Sequence, residues 1–93
     1  MPFELDLPLR LKKEGWKVKI FEDERLEPPH VTVIRGLEKW RIGLRDRQFM
    51  IPPGGSWKDF PKGLREKITG GLQSLIDEWD EMYPENPVGG HDE

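Results

Sequence analysis

The chain has 93 residues, 35% of them charged and 34% hydrophobic, with no Cys and a net charge of -3. The missing Cys excludes a disulfide scaffold, Cys-based zinc sites, thiol catalysis and iron–sulfur clusters. No run approaches the ~20 apolar residues of a membrane span, and the Met-Pro-Phe-Glu-Leu-Asp start lacks the basic and apolar regions of a signal peptide, so a cytoplasmic location is expected.

Residues 3–11 alternate: Phe3, Leu5, Leu7, Leu9 and Leu11 against Glu4, Asp6, Pro8 and Arg10. Period two predicts a half-buried strand, and Pro8 makes it an edge or lifts its middle off the sheet. Lys12 to Gly15 turns the chain. Trp16 to Glu22 alternates again, with Trp16, Val18 and Ile20 on one face and Lys17, Lys19 and Phe21 on the other. Residues 23–29 are a loop stiffened by Pro28 and Pro29. His30 to Arg35 is apolar on both faces through Val31, Val33 and Ile34, as a central strand requires. Gly36-Leu37 turns into a strand over Glu38 to Arg45, with Trp40, Ile42 and Leu44 inward. Phe49 to Ile51 either extends it or pairs elsewhere.

Pro52-Pro53-Gly54-Gly55-Ser56 breaks the sheet. It lacks the Gly-Lys-Ser/Thr ending of a phosphate loop and reads as a turn. A helix comes next, with Asp59 or Phe60 near the N-cap and Pro61 in the first turn. Its apolar stripe is Leu64, Ile68, Leu72, Leu75, Ile76, Trp79 and Met82. Gly70-Gly71 interrupts the stripe with a bend, a frayed turn or a close sheet contact. Pro84 ends the helix. The expected fold is α+β: an antiparallel meander of three to four strands packed on one face by a long C-terminal helix. Residues 1–83 form the domain and 84–93 a flexible acidic tail.

Charge divides the chain. Residues 1–65 carry 14 basic and 10 acidic side chains, and residues 66–93 one basic and eight acidic. The expected open sheet face collects Lys17, Lys19, Phe21, His30, Thr32, Ile34, Lys39, Arg41 and Arg45. Cations around a ring suit nucleic acid, by neutralising phosphates and stacking on bases. The alternatives are a solvated face guarded by Lys and Arg and a dimer interface around Phe21 and Ile34. Asp77, Glu78, Asp80 and Glu81 form an acidic helix end, either solvated or docking on a basic partner, with no calcium-loop spacing.

Pro28-Pro29-His30 fixes an imidazole at the mouth of a central strand. Histidine is the side chain most easily tuned as acid or base near neutrality. With Arg25, Arg35 or Arg41 holding a phosphate, it would form a minimal constellation for RNA cleavage. The alternative is a partly buried His bonded to backbone carbonyls. A metal site is not expected, because His91 in the tail is the sole other His and Thr32 stands where a second imidazole would complete a pair.

The run from Gly15 to Leu44, with Glu22-Asp23-Glu24 followed by Pro28-Pro29-His30-Val31-Thr32-Val33, resembles the small bacterial proteins grouped as domain-of-unknown-function 4160. Trp79 near the end of the helix is also similar, and the resemblance covers residues 15–83. In that family a second His usually stands where Thr32 is here, and the loop before Pro28 is longer in this chain. The resemblance implies a small α+β domain and no established activity; such proteins are suspected members of toxin–antitoxin-like gene pairs, which is consistent with RNA or protein partners.

The expected function is binding a macromolecule, nucleic acid or partner protein, through Lys17, Lys19, Phe21, Lys39, Arg41 and Arg45, without cofactor. Two alternatives stand beside it. One is a small metal-independent ribonuclease-like toxin using His30, with Arg35 or Arg41 on phosphate. The other is a homodimeric structural or accessory protein.

Overall fold

A computed structural model describes residues 3–21, 27–51 and 53–88. Five antiparallel strands run in sheet order as they do in sequence: β1 (Phe3–Glu4), β2 (Trp16–Ile20), β3 (His30–Arg35), β4 (Glu38–Gly43) and β5 (Phe49–Ile51). Among the described residues three α-helices accompany them: α1 (Leu9–Lys13), α2 (Lys62–Gly70) and α3 (Leu72–Met82). The class is α+β, with five strands where three or four were expected.

The first expected strand splits at Pro8. Only Phe3 and Glu4 pair with β2, although the Leu5 N–H also donates to the Val18 carbonyl at 2.8 Å. Pro8 then sits at the N-cap of α1, and its carbonyl accepts from the Leu11 and Lys12 amides. A proline has no N–H to give a sheet, and ahead of a helix's first turn that lack costs little. Leu7 and Leu11, four apart, are buried, whereas Leu9 is 65% exposed.

β2, β3 and β4 form the centre. Trp16, Val18 and Ile20 alternate inward as expected. β3 is buried through its first four residues, as a central strand should be. Gly36 opens the two-residue turn into β4 with φ of 61°, the positive φ that a type II′ hairpin turn needs at its first loop position. β4 stops at Gly43, so Arg45 lies in the following turn.

The expected long helix is two helices meeting at Gly71. Its first turn also differs. Ser56 and Asp59 form a capping box around a 3-10 helix at Trp57–Asp59, and Pro61 occupies the N-cap of α2. At Gly71 an added Cβ would lie 3.1 Å from the Lys67 carbonyl and 3.4 Å from a Leu5 methyl, so the junction admits the β1 segment closely.

Leu64 and Ile68 of α2 and Leu75 and Trp79 of α3 join the sheet's inward residues in one buried cluster. Phe60 is its aromatic hub, with ring centroids 5.3 Å from Trp40, 5.6 Å from Trp16 and 5.7 Å from Phe49. Among the described residues no helix is long and apolar enough to cross a membrane.

The start of the expected tail is held in place. Arg45 Nε donates to the Val88 carbonyl at 2.9 Å and its Nη2 to the Pro87 carbonyl at 2.8 Å. The Val88 amide donates to Asp80 at 2.8 Å, and Trp79 Nε1 to the Asn86 carbonyl at 2.7 Å. Residues 89–93, with His91, lie outside the described residues.

Candidate functional site

Strand register decides which side chains share a face, because successive residues point to opposite sides. Glu4, Lys19, Thr32, Arg41 and Ile51 stand opposite one another across all five strands. Lys17, Ile34 and Lys39 form the next row. These rows are the face on which the sequence places its cations.

The two rows differ in how their cations are paired. Lys19 Nζ lies 3.9 Å from Glu4 Oε1 and 5.8 Å from the Phe21 ring centre. Arg41 Nη1 donates to Glu27 Oε1 at 3.2 Å. Both cations of the longer row are therefore partly neutralised and only partly exposed. Lys17 and Lys39 are exposed on either side of half-buried Ile34, and neither has an ion pair among the described residues. Cross-strand spacing puts the two lysines about 10 Å apart at the backbone.

His30 and Thr32 do not belong to an open surface. His30 is 0% exposed and Thr32 2%. The imidazole lies with its centroid 5.5 Å from that of Trp79, and its Nδ1–H donates to the Pro28 carbonyl at 2.9 Å. This is the alternative arrangement, a buried imidazole bonded to backbone. The cover comes from the end of α3 and the turn after it. Besides Trp79, the Tyr83 hydroxyl donates to the Phe21 carbonyl, and Asn86 Nδ2 to the Glu27 carbonyl at 2.7 Å.

The residues of the cleavage constellation are separated in part. Arg35 is five residues along the strand from His30, so it points to the opposite face and lies roughly 16 Å away. Its Nε donates to the Glu14 carbonyl at 3.1 Å, and its guanidinium lies 5.3 Å from the Trp16 ring centre. Arg41 does come near His30, through Glu27. Glu27 Oε1 is 3.2 Å from Arg41 Nη1 and 3.7 Å from His30 Nε2. Arg25 and Glu22-Asp23-Glu24 lie outside the described residues. Among the described residues no group of three or more His, Asp or Glu side chains could hold a metal ion.

Arg45 stands apart from the basic rows, with its guanidinium turned to Asn86 Oδ1 and the carbonyls of Pro87 and Val88. In the acidic helix end, Asp80 accepts from Val88 and Asp77 from Gln73 Nε2 at 2.9 Å.

Sequence reasoning missed Glu27, Asn86 and Tyr83. Glu27 had a local signal, since it stands three residues before His30 with two prolines between. Asn86 and Tyr83 had none, because they act over separations of about sixty residues. No protein-family model, curated protein or solved structure matches this chain.

Proposed function

We propose that this chain binds an anionic macromolecule, a nucleic-acid strand, through the sheet face centred on Lys17, Ile34 and Lys39. Lys19, Phe21 and Arg41 flank the contact. The observation that carries the reading is the pair Lys17 and Lys39, exposed, unpaired among the described residues and set in one cross-strand row. Such a pair can exchange solvent counterions for two phosphates with little rearrangement. The motif resemblance to proteins of toxin–antitoxin-like gene pairs adds to it. No catalytic step is assigned, since His30 has no exposed atom from which to reach a substrate.

The test is fluorescence anisotropy of a labelled single-stranded RNA and its DNA counterpart at rising salt. Binding is expected to weaken with a log–log slope of about -0.7 per phosphate contacted. Lys17→Glu with Lys39→Glu is expected to abolish it. Absence of binding at low salt overturns the nucleic-acid reading. An acidic protein partner is the second reading, favoured by Leu37. That residue is fully exposed at the β3–β4 turn, beside Ile34 and Lys39. Leu37→Ser is expected to spare nucleic-acid binding and to break contact with such a protein. A homodimer through the same face would appear as a doubled mass in solution.

A further inference from the structure

Beyond Arg41 the open sheet face changes character. Alternation along β4 points Lys39, Arg41 and Gly43 to this face. A Cβ on Gly43 would stand 2.6 Å from Asp46 Oδ1. The Asp46 carboxylate therefore lies over Gly43, on the same face as Lys17 and Lys39. Gly43 is four residues from Lys39, about 13 Å along the strand, so a chain lying along β4 passes both.

Around this carboxylate lies an open cleft of about 320 Å³, bordered by Pro28, Pro29, Gly43, Arg45, Asp46 and Met50. Pro28, Asp46 and Met50 are exposed, so an occupant meets them directly. Met50 is the extra residue where β5 bulges, since Ile51 stands opposite Arg41 and Phe49 opposite Ile42. Bulges re-aim side chains in this way beside functional sites. The volume is at the lower end of the range for small-molecule sites, about 300–1,000 Å³. Asp46 Oδ1 accepts from the Gln48 amide at 3.0 Å, which fixes the carboxylate. Its Oδ2 accepts from no described residue, and Asp46 has no ion pair among them.

We infer that this cleft takes a guanine base of the bound strand, its ring against Pro28 and Met50 and its N1–H and N2–H donors on Asp46, an inference that rests on the nucleic-acid reading. Unstacked bases of a single strand are read on their Watson–Crick edges. An ionised carboxylate can only accept hydrogen bonds. Guanine sets two donors side by side on that edge. Adenine, cytosine and uracil each set an acceptor beside their donor, and its lone pair is repelled by the carboxylate. Pro28 and the polarizable Met50 thioether give the ring an apolar seat. Lys17 and Lys39 then hold phosphates while Asp46 reads a base, a division between positioning and specifying contacts.

The test compares, by fluorescence anisotropy on the full chain, a labelled short oligouridylate with the same strand carrying a single guanosine. The guanosine is expected to tighten binding about ten-fold, and adenosine or cytidine in its place to add nothing. In NMR spectra the guanosine strand is expected to shift the Met50 methyl and the Gly43 amide, and the oligouridylate to leave them in place. Asp46→Asn keeps the bond to the Gln48 amide through its Oδ1 and turns an NH2 group towards the base donors. It is expected to erase the guanosine gain while the oligouridylate still binds. Oligouridylate binding without a guanosine gain, unmoved Met50 and Gly43 signals, or an Asp46→Asn protein that keeps the gain each overturns the inference and leaves the strand-binding reading standing. Failure of every strand to bind at low salt removes both.

Discussion

Two residues carry chemistry that reaches beyond packing. Thr32 sits at the centre of the five-strand row with its hydroxyl buried and without a hydrogen-bond partner among the described residues, as is Arg41 Nε on the strand beside it. An unsatisfied buried polar group costs about 1–3 kcal/mol, and replacement by an apolar group of the same shape removes that cost. Thr32→Val is therefore expected to raise stability by about 1 kcal/mol in urea unfolding, with nucleic-acid binding unchanged. A loss of similar size would mean that the hydroxyl has a partner. Asp6 is the second case. Its carboxylate lies 3.0 Å from Lys12 Nζ. That hydrogen bond and charge, with a smaller contribution from Lys67, hold the carboxyl below its ordinary value of 3.8. A folded-state pKa below the unfolded one adds stability that is present above the unfolded value and lost as pH falls through the folded one. The window therefore lies below about pH 4. In a carboxyl NMR titration, Lys12→Met is expected to raise the Asp6 midpoint towards 3.8. An unmoved midpoint would exclude Lys12 as the cause.

The elements show what pattern alone can and cannot decide. The central strands were legible because Trp16, Val18, Ile20 and then Trp40, Ile42 alternate with charged residues that could not be buried together. The first segment was read as one strand, and only Phe3–Glu4 of it is. Phe3 and Leu5 fit period two, but Leu7 and Leu11 also fit the four-residue spacing of a helix, and Pro8 resolved the choice by lacking a sheet donor. The helix stripe was legible in its burial, and Gly70-Gly71 marked where it divides. Which glycine matters was not legible, because the reason is Leu5, far away in sequence. Gly70 has open space where a Cβ would stand, whereas at Gly71 the Cβ would crowd the Lys67 carbonyl and Leu5. Gly70→Ala is thus expected to gain about 0.5–1 kcal/mol from helix propensity, a melting-temperature rise of about 2–8 °C in a chain this size. Gly71→Ala is expected to end at or below wild type. Equal gains at the two positions would show that Leu5 does not constrain the junction.

At the scale of the molecule, strand parity and the segment after α3 decide which of the sequence-predicted residues meet. Parity within β3 separates Arg35 from His30, so one of the three arginine candidates of the cleavage constellation falls to strand alternation alone. A buried, backbone-bonded His30 was one of the two readings of the sequence, but its cover was not legible, because it is Trp79 and the turn after α3, about fifty residues later. Arg45 shows the same limit: as an alternate position past β4 it counted among the open-face cations, yet β4 ends two residues earlier. Its guanidinium holds the Pro87 and Val88 carbonyls, so it positions the segment that closes over His30. Hydrogen bonds from a charged donor contribute about 1.5–3 kcal/mol. Arg45→Met is expected to destabilise by about that much and to speed hydrogen exchange at the Val88 amide and the Trp79 indole, whose acceptors are Asp80 and the Asn86 carbonyl. At temperatures where the variant stays folded, its affinity for an RNA strand is expected to remain within about two-fold of wild type, because the row of Lys17 and Lys39 is untouched. An affinity loss as large as that of Lys17→Glu with Lys39→Glu would return Arg45 to the binding surface and extend that surface to the 83–88 segment.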